Sequence, residues 1–120
     1  MKKIGFIALL FMAGLWACEY ETIVPIVPDL PDEEVKYAEQ VAPIFVEAGC
    51  TGCHAGGISP NLLADKSWDS LVNGGIVDTE NPADSKLMEK INSGHATSGN
   101  LSGEQKAYIL KWIEEGAKNN

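Results

Sequence analysis

Cys50-Thr51-Gly52-Cys53-His54 constrains this chain more than any other stretch. The spacing C-x-x-C-H is that of a covalent c-type haem attachment, and the reason is geometric. Two thiols three positions apart at a helix end can each form a thioether with one haem vinyl group, and the histidine beside them is delivered to the iron as an axial ligand. Covalent attachment fixes a haem in a chain too small to enclose it by packing alone. Three other chemistries draw on the same residues. A thioredoxin-like C-x-x-C needs a βαβ context, and strand-like runs are nearly missing from this sequence. Cys50, Cys53, His54 and His95 form a Cys2His2 set of the kind that binds zinc, although adjacent Cys53 and His54 would struggle to reach one metal. A disulfide between Cys50 and Cys53 would be a local clip that leaves His54 without a role.

The start of the chain reads as an address. Met1-Lys2-Lys3 is charged, Ile4 to Leu15 is a nearly unbroken apolar run, and Ala17 precedes Cys18. The run is short for a membrane span. It resembles a bacterial lipoprotein signal, with Trp16 standing where a small residue is usual; the resemblance implies lipidation of Cys18 and cleavage before it. The alternative is an ordinary secretory signal with an incidental cysteine. More than one acyl chain on Cys18 would make a stable membrane anchor, and the expected location is the periplasmic or cell-surface side of a bacterial membrane. The expected organisation is a signal peptide over 1–17, a tether over 18–32 and a folded domain over 33–120. Pro25, Pro28 and Pro31 recur every third position, which matches a stiff polyproline II tether.

The three cysteines are then accounted for, one by lipid and two by haem. Removing Lys2 and Lys3 with the signal takes the formal charge from −8 to −10, and the chain has no arginine. The balance argues against nucleic acid as a partner, because affinity for phosphate is built from Lys and Arg. Excess acid of this kind solvates the surface and can steer a basic redox partner.

The domain reads as all-α. Pro43 suits the first turn of a helix that carries Ile44, Phe45 and Val46 into Gly49-Cys50, and the acidic stretch Asp32 to Gln40 can add a turn before it. Ser67 is expected to cap a helix from Trp68 to Asn73, stopped by Gly74-Gly75. Pro82 to Ser85 opens another, with Leu87, Met88 and Ile91 on one face until Ser93-Gly94. The last helix is the clearest: Ser102 and Gln105 make a capping box, Gly116 is a stop, and Ile109, Leu110, Trp112 and Ile113 form an apolar stripe with Tyr108 beside it.

Short helices around C-x-x-C-H, ending in a long amphipathic one, resemble the class I c-type cytochromes, and more closely the small cytochrome c domains of exported bacterial proteins. The resemblance runs from Val41 to Lys118. It rests on Ala42-Pro43-Ile44-Phe45, Leu71-Val72-Asn73-Gly74-Gly75, Asn81-Pro82-Ala83-Asp84-Ser85-Lys86-Leu87, Leu101-Ser102 and Trp112-Ile113-Glu114-Glu115-Gly116-Ala117, in that order about the motif. It implies first and last helices packed at right angles over one haem c held by Cys50, Cys53 and His54. It also implies that Pro60, in Ser59-Pro60-Asn61-Leu62, offers its carbonyl to the His54 Nδ1 hydrogen, a bond that fixes ring orientation and basicity. Pro60 shaping a plain loop is the alternative.

The family usually places a Met-Pro pair before the last helix, and here Ser93-Gly94-His95-Ala96-Thr97-Ser98-Gly99-Asn100 contains neither residue. His95 stands nearest to that place and is the expected distal iron ligand. Met88 competes, although a methionine at helical spacing is commonly core filler, and a vacant position is the third outcome. Met/His ligation raises the reduction potential, so a bis-His iron should sit lower. The expected activity is single-electron transfer between a protein donor and acceptor, with no catalytic residue. Its rivals are a haem enzyme or sensor with an open distal position, for peroxide or gas, and a haem-free lipoprotein with a metal or disulfide at Cys50 and Cys53.

Overall fold

The computed structural model describes residues 28–120. Every regular element in that span is helical. The expected signal peptide, Cys18 and most of the tether lie outside it. A π-helical turn, Tyr37–Val41, runs directly into helix α1, Ala42–Glu47, with Pro43 in its first turn. Asp32 to Lys36 stay non-helical. Helix α2 covers Ser67–Val72, α3 covers Lys86–Asn92 and α4 covers Gly103–Glu114, and 3-10 turns sit at Cys50–Gly52, Pro82–Asp84 and Ala96–Asn100.

Glycines end these helices where the chain needs a left-handed residue, which a Cβ disfavours. Gly49 after α1 has φ +80° and Gly116 after α4 has φ +97°. Gly74 is required for a different reason, since a Cβ there would lie 2.1 Å from the Ser70 carbonyl oxygen. At the other end of α4 the capping box is complete: the Ser102 hydroxyl accepts from the Gln105 N–H at 3.1 Å, and the Gln105 side chain accepts from the Ser102 N–H at 3.0 Å.

Ile109, Trp112 and Ile113 on α4 are fully buried and pack against the π-helical turn. Each large apolar side chain removed from water in this way contributes about 1.5–3 kcal/mol. The Trp112 ring lies 4.8 Å from that of Tyr37, and its indole N–H donates to the Lys118 carbonyl at 2.9 Å. Phe45, Leu71, Leu87, Met88 and Ile91 complete the core from α1, α2 and α3.

Two local expectations are corrected. Ser67 is not a cap; it is the first residue of α2, wholly buried. Its hydroxyl accepts from the Tyr37 hydroxyl at 2.6 Å, because a phenol taken out of water needs a polar partner. The helix expected to open at Pro82 is broken at Ser85, whose ψ of 147° separates a 3-10 turn from α3.

The ends of the domain are tied together. The Tyr37 N–H donates to Asn120 Oδ1 at 2.8 Å, the Val35 N–H donates to Glu115 Oε2 at 2.8 Å, and the Ala38 N–H donates to the Asn120 carbonyl at 3.0 Å. Lys118 pairs with Glu34, which lowers the Glu34 pKa and raises that of Lys118, each chiefly through their shared hydrogen bond.

Candidate functional site

Gly49 turns the chain out of α1 and into the 3-10 turn Cys50–Gly52. The His54 N–H then donates to the Cys50 carbonyl at 3.0 Å, which sets the histidine just past the second thiol. Both thiols are free, Cys50 half-buried and Cys53 exposed.

The loop that follows folds back on His54. The Leu62 N–H donates to the His54 carbonyl at 2.7 Å. On the ring, Nδ1 lies 3.0 Å from the Pro60 carbonyl oxygen and 3.3 Å from that of Ile58. A carbonyl oxygen can only accept, so Nδ1 carries the proton and the lone pair is left on Nε2. The imidazole is therefore oriented and its remaining nitrogen is free to bind a metal, as in metal sites where a ligand histidine leans on a backbone carbonyl.

His95 reaches the same place from the other end of the chain. The turn after it, Ala96–Asn100, closes against the end of α1: Asn100 Nδ2 donates to the Ala48 carbonyl at 3.2 Å, and Thr97 Oγ1 lies 3.8 Å from Cys50 Sγ. With the turn held there, the His54 and His95 ring centroids are 6.3 Å apart, their planes inclined by 47°. Met88 is 4 % exposed, one of the buried residues of the core cluster against which Cys50 packs.

The structure thus brings Cys50, Cys53, His54, Pro60 and His95 into one neighbourhood and packs Met88 as an apolar side chain. No group of three or more His, Cys, Asp or Glu among the described residues is disposed to hold a bare metal ion. The donors present are of the kind a haem c would use: unpaired thiols for covalent attachment, one oriented imidazole, and a second whose ring centroid lies 6.3 Å from the first. Thr97 and Asn100, which hold the His95 turn against α1, carry no signal in the sequence; a polar residue in a Gly/Ser-rich loop shows nothing of a partner some 50 positions away.

No helix among the described residues is long and apolar enough to cross a membrane. Comparisons with protein-family models, with curated proteins and with solved structures give no match.

Proposed function

We propose that this chain is a single-haem c-type cytochrome of class I type, exported, anchored by lipid on Cys18, and that it passes single electrons between protein partners. The observation that supports this most is the pair of imidazoles 6.3 Å apart beside two free thiols. When bound, haem c supplies a one-electron ferric/ferrous couple. Cys50 and Cys53 would hold it covalently, and His54 would offer Nε2, its Nδ1 being fixed by the Pro60 carbonyl. His95 would supply the second iron ligand, its exposed position on a short loop leaving the ring able to reach the metal without unpacking the core.

The test is to express the chain with a haem-attachment system and follow absorption during a redox titration. A reversible one-electron transition with a low-spin spectrum in both states is expected, and Cys50→Ser with Cys53→Ser should abolish covalent loading. His95→Ala should convert the ferric spectrum to high spin, whereas Met88→Leu should leave it unchanged; the reverse pattern would give the distal position to Met88. Rapid carbon monoxide binding by the unaltered ferrous protein would instead favour an open-site sensor or enzyme.

A further inference from the structure

Taking the redox-carrier reading as its basis, we propose that the outer face of α1 is the docking surface for a basic partner, a protein presenting lysine or arginine around a small apolar centre. Val46 carries the inference. It is 53 % exposed while Ile44 and Phe45 beside it are buried, and it belongs neither to the core nor to the loop that folds on His54. With Ala42, Pro43 and Ala64 it lines an apolar groove along α1.

The groove continues across Pro43 and Glu47 into a second depression, toward the start of α4, that includes Glu39 and Glu104. All three carboxylates are exposed. Among the described residues no lysine lines either depression, so the local field is negative, with apolar surface in the middle. That combination selects a cationic rim around an apolar centre.

The position suits electron transfer. Val46 precedes Cys50 by four residues, in the helix whose chain turns at Gly49 into the motif. A partner seated on α1 therefore rests on the helix that leads into the Cys50–His54 segment. Rim charges in water steer encounter more than they strengthen the complex, and salt weakens them over a Debye length of about 8 Å at physiological ionic strength.

The experiment is an NMR titration of the 15N-labelled mature chain with lysine-rich mitochondrial cytochrome c as the basic probe, at low and at physiological salt. Saturable shifts centred on the amides of Ala38, Ala42, Val46, Ala64 and Glu104 are expected, weakening at least tenfold on adding salt. Glu39→Lys with Glu47→Lys should weaken binding at least tenfold. Glu80→Lys with Glu89→Lys, the same change in net charge placed outside the groove, should cost less than threefold. Because Glu47 also accepts from Gln105, Val46→Ser gives a second reading that leaves this bond intact, and it should weaken binding several-fold.

Equal losses from both charge-reversed pairs, shifts centred on the Ile58–Leu63 loop, or no saturable binding would overturn the proposal. So would a dimer seen by sedimentation without probe and dispersed by Val46→Ser, which would assign the groove to a second copy of this chain. Shift mapping does not depend on haem. A colourless chain that still maps to α1 would sink the redox reading and keep the surface, whereas a haem-bearing chain that maps elsewhere would do the opposite.

Discussion

Around α4, polar groups that burial strips of water find partners. The Trp112 indole reaches the Lys118 carbonyl, the Trp68 indole reaches the Ala117 carbonyl at 2.8 Å, and the Tyr37 hydroxyl reaches Ser67. Around α3 the pattern changes. The two buried hydroxyls without a partner among the described residues, those of Ser85 and Ser98, lie just before α3 and in the turn after it, and His95, between the two in the chain, is exposed. The α4 side stabilises the domain with its own bonds, while the α3 side leaves polar groups and an imidazole unused. A site that must receive something from outside is expected on the second kind of surface, because strain and incomplete bonding concentrate where function requires them.

The largest effect that would separate the two sides is Trp112→Ala. It should cost about 3–5 kcal/mol of unfolding free energy, with His95→Ala in the haem-free chain changing it by no more than about 0.5 kcal/mol; urea denaturation measures both. Comparable losses would show the His95 loop to be part of the scaffold.

Burial raises the Tyr37 phenol to about 12, against the smaller opposing pull of its hydrogen bond to Ser67. An unfolded tyrosine titrates near 10. Between those values the unfolded chain has lost a proton that the folded chain keeps, so stability falls as pH rises from about 10 to about 12. Tyr37→Phe should cost about 1 kcal/mol at neutral pH through the lost hydrogen bond and flatten that alkaline decline, which thermal melts across the range would record.

Ser102→Ala removes the capping box and should cost about 1 kcal/mol. Smallest is Ser98→Ala, where an unpartnered hydroxyl is deleted and unfolding should be neutral or slightly harder. A clear destabilisation by Ser98→Ala would mean that its hydroxyl is bonded in solution, and the contrast between the two sides would narrow.

What could be read from the chain was local. Ser102 with Gln105, Pro43 in the first turn of α1, and the glycines at 49, 75, 94 and 116 each act within a few residues of themselves, and helix ends follow from them. Ser67 misled because a serine with an acid two positions on, Asp69, has the pattern of a helix start, while its actual partner, Tyr37, lies 30 positions away. The tie between Val35, Tyr37 and Asn120 leaves no pattern at all, since hydrogen bonds across more than 80 positions have no periodicity to read. Within the site, C-x-x-C-H was plain from spacing. The nearness of His95 to His54 depends on Thr97 and Asn100 closing on α1, which is tertiary information.

The account stands most directly on one measurement: haem-specific staining of the denatured, mature protein on a gel, with its intact mass, after expression beside a haem-attachment system. A stained band whose mass exceeds the polypeptide by one haem, lost when Cys50 and Cys53 are replaced by serine, is the expected result. An unstained protein of unmodified mass, with a control cytochrome loaded in the same cells, would contradict it.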